Sequence, residues 1–373
     1  LEIIEVDSGN KRRVRAFLRL PFEIYKGTPQ WVPMFEGDAR APFDKNRFAF
    51  YRHSEAAFFL AVAGDEPIGR IVALQNRMYN EYNNKKAATF YWFECRDDAA
   101  AAQGLFEAAF EWARSRGLNE MIGPKGFTAL DGAGVLVRGF EHRAAFSMPY
   151  NHPYYPRLIE AAGFQPTGEN VSGYLGSEMQ FPERIHELSR RVQERRGLRI
   201  ARYRTRKDLR ALVPVFQKLY NDALGGTLDN YPISEEEANT LANQLIWFAD
   251  PRLVKVVMKG DEPVGFLLAY PNINAALQKT KGRLLPLGWI RMWRELKRTD
   301  WVDINGAGLV EEYRGSGGTA ILFSEMAKSI TETGQFRHAE TVQIAVGNDR
   351  MQRELANFGV NFYKAHRSYR RDL

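Results

Sequence analysis

The apolar positions fall in short runs, and the runs come in pairs. Phe58-Phe59-Leu60-Ala61-Val62 and Arg70-Ile71-Val72-Ala73-Leu74 flank the turn Gly64-Asp65-Glu66-Pro67-Ile68-Gly69. Two strand-length runs joined by a Gly-Asp-Glu turn predict a β-hairpin. The arrangement returns 196 residues later, where Leu253-Val254-Lys255-Val256-Val257 and Phe266-Leu267-Leu268-Ala269-Tyr270 flank Gly260-Asp261-Glu262-Pro263-Val264-Gly265. Other landmarks keep nearly that offset. Arg15-Ala16 and Tyr25 match Arg210-Ala211 and Tyr220, Asn151 matches Asn348, and Gly163-Phe164 matches Gly359-Val360. Matches in one order at one offset imply a duplicated domain, and the period is too long for a solenoid.

Each half predicts the same series. An extended start (2–6; 198–203) leads into a helix (11–25; 207–221), then the hairpin, then a third strand (87–93; 301–310). A long helix follows (97–116; 317–332), then a strand (119–122; 341–346), a short helix (153–162; 349–357) and terminal strands. Ser234 with Glu237 forms a capping box that opens a further helix over 235–248. Strands first, then alternating strand and helix, predict a mixed α+β class, each half a twisted mixed sheet flanked by helices. The expected domains are 1–181 and 182–373, joined through the charged segment Pro182–Gly197.

Composition narrows the class. A chain of 373 residues that is 45% hydrophobic and 26% charged has enough apolar content for two cores and is not globally disordered. The longest apolar run, Ala56–Ala63, is far short of the ~20 residues that span a bilayer. Cys95 is the single cysteine, so no intrachain disulfide forms, and a reducing cytoplasm is the expected compartment. The net charge of +7 attracts anions, but no zinc spacing, RNA-binding aromatic motif or long basic stripe accompanies it, which argues against a nucleic-acid role.

The chemistry concentrates in the second half. Its third strand runs into Glu311-Glu312-Tyr313-Arg314-Gly315-Ser316-Gly317-Gly318-Thr319 and then a helix. The first N–H groups of a helix lack internal partners and its dipole makes that end positive. Glycines let the backbone approach a phosphate without Cβ interference, and Arg314 can add a charge-assisted contact. An ordinary glycine-rich turn is the plain alternative.

The order hairpin, strand, Arg-Gly-x-Gly-Gly, helix, strand, Asn, short helix ending in Gly resembles the GNAT superfamily of acyl-CoA N-acyltransferases. The resemblance covers nearly the whole chain, and Gly123-Pro124, Asn151-His152-Pro153-Tyr154-Tyr155 and Gly163-Phe164 resemble a two-domain subfamily within it. It implies two tandem GNAT-like domains, with acetyl-CoA or another acyl-CoA as donor and no metal. It further implies that Leu309 and Val310 offer backbone to pantetheine and that Arg314, Gly315, Ser316, Gly317, Gly318 and Thr319 hold the pyrophosphate. Asn348 matches the asparagine that opens the family's last helix, near the thioester.

Three departures stand beside the likeness. Glu312 occupies the place where the family loop has Gln or Arg, so Glu311 and Glu312 are expected to point away from an anion. Leu355 stands where many members carry a tyrosine that protonates the leaving thiolate. The first half has Asp97-Asp98 in place of the loop, which suits a helix cap and opposes a pyrophosphate. The glycine-bearing stretch Gly123–Tyr150 is expected as a long loop at the sheet edge, either shaping an acceptor pocket or merely covering the domain.

Asp303 and Asn305 lie two apart in the strand before the loop, hence on one face. With Asn348 they are the catalytic candidates, Asp303 as general base if that face lines the cleft; the alternative is a strand-edge carboxylate meeting water or lysine. His366, Tyr369, His152 and Tyr155 can face a cleft or pack in a core, and Cys95 reads as a buried thiol. The insert Asn274–Thr299 contains 282–298, apolar on one side and basic on the other. It can be a lid, a peripheral contact with an anionic membrane, or a packed helix. The leading expectation is direct acyl transfer, acetyl in the first instance, to a small-molecule or peptide amine. A non-catalytic or decayed GNAT-fold scaffold, or a transferase using aminoacyl-tRNA, remains open.

Overall fold

The computed structural model describes residues 1–128, 131–177, 181–224, 230–315 and 317–373. The first half runs β1 (Glu2–Glu5), α1 (Lys11–Ile24), α2 (Glu36–Arg40), β2 (Glu55–Ala63), β3 (Glu66–Gln75), α3 (Arg77–Asn83) and β4 (Ala87–Cys95), then α4 (Ala99–Arg114), β5 (Glu120–Gly123), β6 (Val135–Arg138), α5 (Tyr155–Ala161) and β7 (Gln165–Gly176). After α6 (Glu183–Arg196), the second half runs β8 (Leu198–Ala201), α7 (Arg206–Arg210), α8 (Val213–Leu224), α9 (Glu235–Ile246), β9 (Val254–Lys259), β10 (Glu262–Pro271), α10 (Asn274–Thr280) and α11 (Gly288–Arg298). It ends with β11 (Trp301–Leu309), α12 (Gly318–Thr333), β12 (His338–Ala345), α13 (Asp349–Asn357) and β13 (Asn361–Asp372). Short 3₁₀ turns complete the connections.

Both hairpins form where the turns require, β2 with β3 and β9 with β10. Gly64 and Gly260 take φ of +61° and +58° there, a region other residues rarely enter. The capping box at Ser234 and Glu237 is present. The helix expected over 207–221 is instead two, α7 and α8, because Pro214 has no N–H to bond back and sits in the first turn of a new helix.

The strands form one continuous sheet in the order β1-β2-β3-β4-β5-β13-β7-β12-β11-β10-β9-β8, with β6 pairing β13. The halves therefore exchange their last strands. β13 lies between β5 and β7, pairing Tyr369–Asp372 with Glu120–Gly123 and Asn361–Arg370 with Gln165–Tyr174. β7 in turn pairs β12. The stretch 123–150 does not lie at a sheet edge as expected: it carries β6 and crosses the middle of the sheet, because β13 places its partner there. The segment expected as a linker, α6, is docked on α12 with Ile185 and Ser189 buried and His186 Nδ1 2.7 Å from Ser324 Oγ.

Each half opens in the same place. β4 pairs in parallel with β5 only over Ala87–Thr89, and β11 with β12 only over Trp301–Ile304. A β-bulge follows in each: Trp92 and Phe93 oppose Ile71, and Asn305 and Gly306 oppose Leu268. Bulges bend a strand and increase its twist, so both strands leave their parallel neighbours. Apolar clusters pack both faces of the first-half sheet, Phe90, Phe106 and Phe110 on one and Phe17, Phe58 and Leu74 on the other. Each such ring buried contributes roughly 1.5–3 kcal/mol.

Candidate functional site

In the second half the glycine turn stands where β11 ends. Leu309 sends its side chain between two glycines: a Cβ on Gly265 would lie 2.4 Å from Leu309 Cδ2, and one on Gly318 would lie 2.8 Å from it. This wedge fixes the height of the turn above the sheet. Gly317 is the N-cap of α12 at φ +88°, and no side chain caps it. Glu311, Glu312, Arg314 and Gly315 are exposed. Tyr313 anchors the turn in the second-half core. The result is a helix N-terminus without a side-chain cap at Gly317, an arrangement able to receive an anion. Ser316 lies outside the described residues.

Two groups assigned to the coenzyme are engaged within the protein. Val310 N–H donates to Val264 O at 2.9 Å. Arg314 donates from Nε to Leu309 O at 3.0 Å and from Nη2 to Ala223 O at 2.9 Å. Its guanidinium thus ties the turn to the end of α8, with further N–H donors left over. Beyond Ile304 the β12-facing side of Asn305–Gly308 has no strand partner among the described residues, because the two strands have separated. That stretch is the part of β11 whose outer backbone edge is left unpaired by β12.

Asp303 does not face an open cleft. It is fully buried, accepting from Asn272 Nδ2 at 3.0 and 2.9 Å and from Phe146 N–H at 3.0 Å. Sequence alternation placed it and Asn305 on one face, but the first-half segment at Phe146 covers that face. Asn305 donates to Tyr270 OH at 2.8 Å. Asn348 is exposed and spends its side chain as the N-cap of α13, accepting from Met351 N–H at 3.1 Å. The three catalytic candidates are therefore committed separately. Leu355 is packed in the second-half core.

Burial, with Glu340 nearby, raises the Asp303 carboxyl from 3.8 to about 6, and Asn272 and Phe146 hold it back from rising further. His366, also buried, donates from Nε2 to Pro149 O at 3.0 Å and is lowered from 6.5 to about 4. A carboxyl raised in the folded state costs stability above its unfolded value, so the Asp303 cost grows as pH climbs from ~4 to ~6. A histidine lowered in the folded state costs stability below its unfolded value, so the His366 cost grows as pH falls from ~6.5 to ~4. Each is worth about 3 kcal/mol, and the two slopes oppose. Relative to wild type, Asp303→Asn should gain stability as pH rises through this window and His366→Gln as it falls. A series of melting temperatures from pH 4 to 7 measures both, and parallel curves for all three proteins would refute the assignment.

The first half is built differently. Asp98 accepts from Ala101 N–H at 2.9 Å and caps α4, while Asp97 pairs with Arg157. The anion site is filled by the protein's own carboxylate. Burial pushes the Cys95 thiol up to about 12, which keeps it protonated and unreactive.

A cavity of about 750 Å³ occupies this half's strand opening. β4 supplies Tyr91, Trp92 and Glu94, α1 and its following loop Phe22 and Trp31, the 123–150 stretch Phe146 and Tyr150, and the second half Lys281 and Arg283. At its floor Glu94 Oε2 accepts from Tyr25 OH and from Tyr155 OH at 2.8 Å, and Arg70 Nη2 lies 3.9 Å from Oε1. Burial raises the Glu94 carboxyl while Arg70 and the two phenols pull it back. Burial also raises both phenols, which remain donors. Sequence reasoning had Tyr155 as a residue able to face a cleft and missed Tyr25, Arg70 and Glu94 beside it. The signal was a charge at a buried stretch of each of two neighbouring strands, Arg70 and Glu94, which prove to be cross-strand partners.

No family model matches the chain. Protein YghO of Escherichia coli (strain K12) is 24% identical over 374 residues, covering 98% of this chain and 94% of that protein. The bacterial ceramide synthase of Caulobacter vibrioides is 26% identical over 375 residues, covering 96% of this chain and 95% of that protein. Among solved structures, a tandem GNAT protein from the clavulanic acid biosynthesis pathway superposes with a TM-score of 0.58 at 13% identity, over 100% of this chain and 98% of the other. The duplicated sheet, the paired strand openings and these likenesses agree: the chain has a tandem GNAT fold.

Proposed function

We propose that the protein transfers a long-chain acyl group from acyl-CoA to an amine that itself carries a long hydrocarbon chain. The observation that supports the donor is the uncapped N-terminus of α12 behind an exposed glycine turn, at the end of a strand that has left its parallel neighbour. The name of the Caulobacter relative supports the acceptor, since a ceramide is an N-acylated long-chain amino alcohol. The aromatic-walled cavity of about 750 Å³ has room for a chain of that kind.

In this reading the diphosphate meets the amides at Gly317–Thr319, and pantetheine follows the free side of Asn305–Gly308. The amine nitrogen attacks the thioester carbonyl, the C–S bond breaks, and the nitrogen's proton passes through water to the departing thiolate. Leu355, apolar and buried, supplies no acid at that point. Asp303 is a positioning residue that holds Asn272 and the Phe146 segment. Glu94 lies on β4, five strands from β11 in the sheet, about 24 Å at the usual strand spacing. It therefore serves the bound amphiphile rather than the thioester.

Isothermal titration with palmitoyl-CoA and acetyl-CoA, followed by thiol release in the presence of a long-chain 2-amino-1,3-diol, tests the reading. The expected result is heat with both coenzymes and amine-dependent thiol release that favours the long acyl chain. Absence of heat with either ligand would end the donor assignment, and release that favours acetyl-CoA would end the long-chain one.

A further inference from the structure

We infer that the stretch Arg283–Arg298 seats the protein on an anionic lipid surface. Ten large hydrophobic side chains are exposed among the described residues, and four of them fall within nine positions: Leu285 at 78%, Leu287 at 65%, Trp289 at 55% and Trp293 at 53%. α11 is fastened through its inner side, where Met292 enters a cluster with Phe35, Phe248 and Tyr270. Its outer side carries two neighbouring stripes set by helical spacing, Trp289-Trp293-Lys297 and Arg291-Arg294-Arg298. Lys297 Nζ lies 3.8 Å from the centre of the Trp293 ring.

Aromatic rings and cations interleaved on a fixed helix face suit the boundary between headgroups and acyl chains. The stretch bears five basic residues and one acid, Glu295. A second copy would bring five more cations against the same face, which disfavours self-pairing; an anionic bilayer complements both the charge and the rings. No helix among the described residues is long and apolar enough to cross a membrane, so the contact is peripheral. Lys281 and Arg283 also line the mouth of the first-half cavity. Docking therefore brings that mouth to the lipid surface. The inference stands independently of the acyltransferase reading.

The test is flotation of the full chain with vesicles of phosphatidylglycerol and phosphatidylcholine, against phosphatidylcholine alone, at 0.1 and 0.5 M NaCl, none of which contains CoA or an amine acceptor. The anionic vesicles should carry the protein upward at low salt and lose most of it at high salt. Trp289→Ser/Trp293→Ser should reduce the bound fraction about tenfold. Arg294→Glu/Arg298→Glu should reduce it at least fivefold per residue. All these side chains are exposed, so unchanged melting temperatures confirm that each variant is folded. Failure of the wild-type chain to bind, or equal binding by the variants, would overturn the inference. So would a wild-type dimer in light scattering that the tryptophan variant converts to a monomer without any vesicle binding, because the face would then belong to a second copy.

Discussion

Replacing Gly317 with aspartate in a Val192→Ala background should lower acyl-CoA affinity about a thousandfold and leave the fold standing. The argument starts from the first half, where Asp98 caps α4 and closes the corresponding site. Gly317 has φ +88°, and aspartate is among the few residues that tolerate this region. Its Cβ would lie 2.6 Å from Val192 Cγ2, so Val192→Ala removes the clashing methyls. The new carboxylate would cap α12 and occupy the space of the diphosphate. Like charges ~4 Å apart in a partly dry site repel by about 4 kcal/mol, which is the thousandfold. A cap contributes ~1 kcal/mol and the left-handed backbone costs about the same, so the melting temperature should hardly move. Titration with acyl-CoA compares the double variant with Val192→Ala alone, and equal affinities would mean that the coenzyme's phosphates bind elsewhere.

Neither half should fold when expressed alone. Residues 1–181 would lack β13, leaving β5 and β7 without the strand between them, and residues 182–373 would lack β7 beside β12. Each fragment would expose unpaired sheet edges, which template aggregation. β13 also delivers fully buried Tyr369 to the first-half core, and its Lys364 forms a buried pair with Glu340 at 2.8 Å. These losses exceed the ~5–15 kcal/mol by which a domain is ordinarily stable. Either fragment should be insoluble, whereas the two expressed together should co-purify through a tag on one of them. Two soluble monomers with cooperative melting would contradict the strand exchange.

What the sequence made legible was local. The hairpins, the capping box at Ser234 and the turn into α12 depend on a few neighbouring residues whose backbone demands are specific. The exchange of β7 and β13 was not legible, because alternation along a strand states which face is buried and not which strand lies alongside. The surroundings of Asp303 were hidden for a related reason. Its face was read correctly as shared with Asn305, but the segment that covers it comes from Phe146, 157 residues earlier. The break before Pro214 could have been read, since proline cannot continue the preceding helix. Arg70 and Glu94 could have been read too, as opposite charges beside buried apolar positions of neighbouring strands.

α6 is the element that follows β7 in the chain, and it rests Val192 against Gly317. The helix that follows the first half is thus also a wall of the glycine turn. A guest too bulky for the turn would have to lift that helix and drag on a strand woven into the other half's sheet. The aperture is consequently gauged by the architecture as a whole, and its tolerance for size is as stiff as the seam that joins the two halves.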